Sequence, residues 1–181
     1  MCGKFENTQN LAEILRYFSA KTKLNDLPCN QQHLPLKSCA IIVRDSLGLA
    51  LWSWPMDGEA GRPLINIRIE TAAQKPSFAR DWNAGHRCLA PATAFYEKGQ
   101  RFEVTGNKVF GLCGLWTRGG DGQTCFSVLT RAAMPPVSPI HDRMPVIVTP
   151  ADASAWLMEG KLPEPPPLAL KEALADSPML L

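Results

Sequence analysis

The spacing of apolar positions switches between helical and alternating along the chain, and the switches outline its elements. Leu11, Ile14, Leu15 and Phe18 recur at helical spacing behind Asn10. Glu13 sits at the capping-box position, which predicts a helix over Asn10 to Lys21. Asn25 to Lys37, rich in Pro, Asn and Gln, reads as an irregular surface loop. Strand-like runs follow at Cys39 to Arg44 and, after a turn at Asp45 to Gly48, at Leu49 to Trp54. From Leu64 to Glu70 the period is two. Ile65, Ile67 and Ile69 would enter the core from one face of a strand, and Asn66, Arg68 and Glu70 would line the other.

Ser77 to Ala84, with Phe78 and Trp82 four apart, predicts a short helix ended by Gly85. Further strands are expected around Cys88 to Glu97, Arg101 to Thr105, Val109 to Trp116, and Thr124 to Thr130. A loop, Ala132 to Arg143, leads to an apolar strand at Val146 to Val148. Thr149 and Pro150 open a helix that Gly160 ends. The tail from Leu162 to Pro167 carries four prolines and links to a last short helix, Leu168 to Asp176. Runs of strands with helices at their flanks predict an α+β fold. The expectation is a single domain whose mainly antiparallel, curved or barrel-like sheet is flanked by helices. The domain spans residues 1–160, and the proline-rich link and short helix of 161–181 pack on it.

Composition narrows the function classes. The chain has 181 residues, 45% of them hydrophobic, and a formal net charge of +2, which excludes a grossly basic nucleic-acid binder but leaves room for a local basic groove. No signal-peptide pattern opens the chain and no apolar run approaches the ~20 residues of a membrane span, so a cytoplasmic protein with reduced thiols is expected. The six cysteines form no C-x-x-C pair and the three histidines are far apart, which argues against a metal site. The five cysteines after Cys2 read as small buried hydrophobes. No glycine-rich phosphate loop is present, and no cofactor is expected.

The candidate chemistry starts at Cys2. Removal of the initiator methionine would give it an α-amine beside a thiol, with reference pKa values of about 8 and about 8.5. A 1,2-aminothiol condenses with an aldehyde to an imine, and intramolecular attack by the thiol then closes a thiazolidine. Three further islands accompany Met1-Cys2-Gly3-Lys4: Asn66-Ile67-Arg68-Ile69-Glu70-Thr71, Phe95-Tyr96-Glu97, and Pro139-Ile140-His141-Asp142-Arg143-Met144-Pro145. Together they resemble the SRAP (SOS response-associated peptidase) family, with patterns MCGR, NARAET, GFYEW and HDRMP. The resemblance runs from Cys2 to about Trp156, through Lys75-Pro76-Ser77-Phe78, Arg87-Cys88-Leu89-Ala90-Pro91 and Gly114-Leu115-Trp116.

That resemblance implies a sensor that crosslinks to abasic sites in single-stranded DNA through a Cys2 thiazolidine, with lyase-like activity and a peptidase activity that releases its own Met1. Cys2 would be the nucleophile and Asn66 would hydrogen-bond the adduct or the Cys2 backbone. Glu97 would orient the α-amine, and His141 would act as acid/base at the sugar. Lys4, Arg68 and Arg143 match positions that hold DNA phosphates. Trp52 and Trp54 could stack on bases or, at alternate positions of a strand, fill the core. Asp142 reads as structural, pairing with a backbone amide or with Arg143.

Several positions depart from the family pattern. Lys4 replaces an arginine, Ile67 and Ile69 replace alanines, and Lys98 replaces a tryptophan. The tryptophan segment is reduced to Leu51-Trp52-Ser53-Trp54-Pro55, which suggests a shallower DNA groove, and Asn25 to Ser38 aligns poorly. Three other functions compete. One is a class II glutamine amidotransferase, whose later motifs are missing. The others are a thiol peptidase acting on other proteins and a non-catalytic single-stranded DNA-binding module.

Overall fold

The computed structural model describes residues 2–25, 31–55 and 64–171, without the side chain of Gln31. Strand β1 (Phe5–Asn7) leads into helix α1 (Leu11–Phe18). The helix starts where its capping box predicts: the Asn10 side chain accepts from the Glu13 N–H at 2.9 Å, and the Glu13 carboxylate accepts from the Asn10 N–H at 3.2 Å. It stops before Lys21 because Ser19 turns left-handed, with φ 50°. Part of the expected surface loop is strand β2 (Gln31–His33), held by antiparallel pairing with β1 despite its polar sequence. Residues 26–30 of that stretch lie outside the described residues.

Strands β3 (Ser38–Val43) and β4 (Ser46–Trp52) form a hairpin closed by Arg44 and Asp45, with Arg44 at φ 55°. The turn is tighter than the expected Asp45 to Gly48, and Gly48 lies within β4 opposite Ile41. The strand expected over Leu64 to Glu70 is cut to β5 (Asn66–Arg68), and the chain coils at once into α2 (Ile69–Ala72). Only Ile67 of its three isoleucines is fully buried; Ile65 and Ile69 pack against the core from its edge. Helix α3 (Pro76–Asn83), β6 (Arg87–Ala92), β7 (Ala94–Glu97), β8 (Gln100–Val104), β9 (Phe110–Arg118) and β10 (Thr124–Ala132) fall close to their expected places. The expected loop ends in a further strand, β11 (Arg143–Pro145), followed by β12 (Ile147–Val148). The Thr149-Pro150 helix is a 3₁₀ turn (Pro150–Asp152) running into a π-helical turn (Ala155–Glu159), and Gly160 ends it at φ 72°. Leu168–Lys171 is not the first turn of a helix but strand β13, because β8 offers an unpaired edge there. Residues 172–176 of the expected helix lie outside the described residues.

Five strands close into a barrel in the order β4, β3, β6, β9, β10. The ring closes because β10 pairs antiparallel with β9 and parallel with β4, through Cys125↔Leu51 and Phe126↔Trp52. Alternation along the strands divides the core in two. Cys39 and Ile41 of β3, Trp52 of β4, Ala90 of β6, Leu112 of β9 and Phe126 and Val128 of β10 fill the barrel. Ala40, Ile42, Leu89, Cys113 and Leu129 face outward against Ile14 and Phe18 of α1, Phe78 of α3 and Trp156 of the π-helical turn. Cys39, Cys88, Cys113 and Cys125 are all buried, the role expected of them, and Cys29 lies outside the described residues.

A second sheet, ordered β13-β8-β7-β1-β2, packs its Phe5, Phe95 and Phe102 into the barrel cluster. Its β1 sits between β7 and β2, with Phe5 opposite both Phe95 and His33. That register brings the start of the chain alongside the end of β7. Among the described residues, no helix is long and apolar enough to cross a membrane.

Candidate functional site

Four segments distant in sequence meet at Cys2. Pairing of β1 with β7 continues past Phe5, where the Tyr96 N–H donates to the Lys4 carbonyl at 3.0 Å. Glu97 follows as the last residue of β7. It is fixed there by a two-residue hairpin, Lys98-Gly99, in which both residues have positive φ. From the other side, β5 lies on β10 with Asn66 opposite Val128, and the Asn66 side-chain amide donates to the Cys2 carbonyl at 2.8 Å. The Asn66 amide oxygen is buried without a hydrogen-bond partner. His141 enters at the end of the turn 134–141, just before β11, which pairs Arg143 with Ala132 of β10.

Electrostatics link three of these side chains, Cys2 to Glu97 and Glu97 to His141. In the chain still carrying Met1 the Cys2 side chain is fully buried. Burial, and next the charge of Glu97, push its thiol up to about 12, while a contact from Sγ to the Lys4 carbonyl at 3.7 Å acts in the other direction. The thiol is therefore not poised near its reference value, which corrects the expectation from the sequence alone. Burial also raises the Glu97 carboxyl, against the opposing pull of the chain's α-amino terminus, His141 and Lys98. His141 Nδ1 lies 2.9 Å from the Arg143 N–H, from which it accepts when the neutral ring carries its proton on Nε2. The same Nδ1 lies 3.0 Å from Asp142 Oδ1 and 3.1 Å from the Arg143 carbonyl, acceptors ready for a protonated ring. Asp142 thus serves His141 through its carboxylate. Its backbone carbonyl accepts from Ala133, and Arg143 finds its partner elsewhere.

The residues assigned to DNA separate into two groups. Arg68 is exposed at the end of β5 and makes no ion pair among the described residues. Lys4 is half-buried, its ammonium 3.9 Å from the centre of the Tyr96 ring. Tyr96 in turn donates to buried Glu6 at 2.7 Å, and Arg101 donates to the same carboxylate, so Lys4 rests on a fixed platform. No sequence signal linked Glu6 to Arg101, 95 positions away.

Arg143 differs from both. Its side chain is 11% exposed, and its fork holds Glu70 with 2.7 Å and 2.8 Å contacts and the Thr130 carbonyl at 2.6 Å. It does not present an open guanidinium to a phosphate. Trp52 and Trp54 are core residues and not stacking platforms. Both are buried, and their indole N–H groups donate to the carbonyls of Ile65 and Ser77. Among the described residues, no group of three or more His, Cys, Asp or Glu side chains is arranged to hold a metal.

A closed barrel with an amino-terminal Met-Cys-Gly segment beside a buried carboxylate, an asparagine and a histidine defines a class. The chain belongs to the SOS response associated peptidase (SRAP) family, whose family model matches residues 1–178. Its relatives include abasic site processing protein YoqW of Bacillus subtilis (strain 168), 29% identical over 184 residues, covering 87% of this chain and 80% of that one. Abasic site processing protein YedK of Escherichia coli (strain K12) is 26% identical over 180 residues, covering 88% and 80%. Among solved structures, a protein of Bordetella bronchiseptica shares the fold with a TM-score of 0.78 at 22% identity, covering 95% of this chain and 100% of that one.

Proposed function

We propose that this protein processes abasic sites in single-stranded DNA by capturing the damaged sugar on Cys2 once Met1 has been removed. The observation that carries the reading is the convergence of Cys2, Asn66, Glu97 and His141 from four segments, in a chain whose relatives are named for abasic-site processing. A thiol pushed up to about 12 is a poor first nucleophile, so the α-amine acts first. The amine adds to the aldehyde of the ring-opened deoxyribose, and loss of water gives the imine. The thiol then adds to the imine carbon. A C–S bond forms, the thiol proton passes to nitrogen, and the thiazolidine closes without any oxidant or reductant.

Glu97 is the group suited to hold the amine, since its charge already acts on Cys2, the residue that would carry that amine. His141 is suited to supply and remove protons during ring opening and dehydration. Release of Met1 by the same cysteine is the self-processing step, and lyase-like strand scission follows when the imine promotes β-elimination of the 3′ phosphate.

Incubation of the processed protein with abasic single-stranded DNA, followed by denaturing electrophoresis, tests the reading. A protein–DNA band that survives denaturation is expected from the wild type. Cys2→Ala should give no stable band, and Cys2→Ser should give one only after borohydride trapping. An undiminished stable band from Cys2→Ala overturns the proposal. A reversible shift alone identifies a binding module, and casein cleavage without DNA a general thiol peptidase.

A further inference from the structure

We infer that Glu70 is a positioning residue for His141, acting through Arg143. The inference rests on the role of His141 proposed above. Glu70 stands in the first turn of α2, two residues beyond Arg68 and four beyond Asn66. It is half-exposed and touches neither Cys2 nor His141 directly. Its two carboxylate oxygens take both terminal nitrogens of Arg143, at 2.7 Å and 2.8 Å, in the bidentate geometry that fixes a guanidinium in plane and direction. A third contact, from Arg143 Nη2 to the Thr130 carbonyl at 2.6 Å, ties the same group to β10. The Arg143 backbone N–H then donates to His141 Nδ1 at 2.9 Å. Each link is a hydrogen bond between named atoms, and the chain of contacts runs from α2 to the imidazole.

Its effect is mechanical and electronic. β5 and α2 carry Asn66, which holds the Cys2 carbonyl, while β11 and the turn before it carry His141. β5 and β11 each pair with β10 over three residues, so along the backbone the two ends are joined through that strand. The Glu70–Arg143 fork joins these two halves of the site directly. By fixing Arg143, it aims an N–H at Nδ1, a contact that favours the neutral ring with its proton on Nε2 against the pull of Asp142 Oδ1, 3.0 Å from the same Nδ1. Charged groups that act on His141 include Asp142 beside it and Glu97 at the end of β7. Glu70 reaches it through Arg143.

The Arg143 fork is committed to this carboxylate. A guanidinium 11% exposed has no room to leave its partner for solvent, and its Nε is already buried without a hydrogen-bond partner. Removing Glu70 leaves that charge uncompensated at a half-closed site.

The test compares wild type, Glu70→Gln and Glu70→Asp, each with Met1 removed. Glu70→Gln should slow adduct formation by roughly tenfold or more and alter its pH–rate profile, while single-stranded DNA affinity and its salt slope stay within about twofold. Glu70→Asp, which keeps the charge, should recover part of the rate. Nitrogen chemical shifts of the His141 ring, assigned with His141→Ala, should report a single Nε2–H tautomer in the wild type and a mixture in Glu70→Gln. This readout needs no DNA, so it stands even if no wild-type adduct forms and the proposed function fails. An unchanged His141 tautomer in folded Glu70→Gln overturns the inference. So does a marked rise in DNA affinity with an unchanged rate, which would make Glu70 a competitor of phosphate for Arg143.

Discussion

The side-chain amide of Asn66 donates to the backbone carbonyl of Cys2 at 2.8 Å across 64 positions of sequence, joining the barrel edge to the start of the chain. It fixes the residue that the proposed chemistry uses, at a point where the chain has no sheet partner of its own. Loss of such a bond, leaving a buried carbonyl unsatisfied, costs about 1–3 kcal/mol. Asn66→Ala should therefore slow adduct formation by about tenfold or more if that cost falls on the reacting geometry. Asn66→Asp keeps an acceptor but loses the donor, and it should be at least as slow. Single-turnover adduct rates measure this, and a wild-type rate from both variants would reduce the contact to an incidental one.

Of the three cationic residues proposed to meet DNA phosphates, Arg68 and Lys4 are not held in an ion pair among the described residues, one exposed and one resting on Tyr96. Each phosphate neutralised on a single strand contributes about 0.7 to the slope of log K against log salt. Arg68→Ala and Lys4→Ala should each lower that slope by up to this amount and weaken all sequences alike. Arg143→Ala should leave the slope nearly intact, because its fork is committed to Glu70. Fluorescence anisotropy with oligonucleotides over a salt series gives the slopes. A loss from Arg143→Ala equal to that from Arg68→Ala would restore Arg143 as a phosphate ligand.

Much of this site was legible in the sequence because its residues lie in short, dense islands. Cys2, Asn66, Glu97 and His141 were each marked by their neighbours. What the sequence did not carry was the set of partners, since these form across 60 to 95 positions. Glu70 read as one polar residue on the outer face of a strand, yet it closes a fork with Arg143, 73 positions on. Trp52 and Trp54 had two readings at alternate strand positions. The packing decided it: Trp52 fills the barrel and Trp54 packs outside it against Phe78, and each indole N–H donates to a backbone carbonyl. The elements misread, β2, β11 and β13, are short strands with polar or proline-flanked sequences. Their pairing partners create them, and local propensity does not.

His33 gives the fold a pH response separate from the chemistry. It is buried on β2, stacked on Phe5 at 4.7 Å, and burial pushes it down to about 4 from 6.5. A base whose folded value is depressed contributes stability that is present above its unfolded value and lost as the pH falls through the folded one. The melting temperature should therefore drop as pH falls from about 6.5 to about 4. His33→Phe, which keeps the stack on Phe5, should flatten that part of the profile. Calorimetry over pH 4 to 7 tests this, and an equally steep profile from folded His33→Phe assigns the response to other groups.

Glu97 and His141 must act together if a buried amine is to attack a sugar that is mostly a closed hemiacetal. Ring opening needs a proton donor, and imine formation needs an amine that is held in place and neutral. His141→Ala should slow adduct formation by roughly 10²–10⁴-fold if it behaves like other positioned acid/base groups, with little change in DNA affinity. In the proposed role Glu97 holds the amine as a carboxylate, and burial raises its pKa, so the acidic limb of the rate profile should lie above the ordinary carboxylate range. Below that limb the carboxyl is protonated and the amine loses its partner. Above it the rate should rise as the amine deprotonates, then fall as the proton donor is lost. Glu97→Gln cannot titrate, so its profile should lose the acidic limb and run at a uniformly lower rate. Single-turnover rates between about pH 4 and 9 separate these cases, a range set by the carboxylate and amine reference values. Wild-type rates from both variants across that range would leave Cys2 as an unassisted aminothiol meeting an aldehyde, with Glu97 and His141 kept for structure alone.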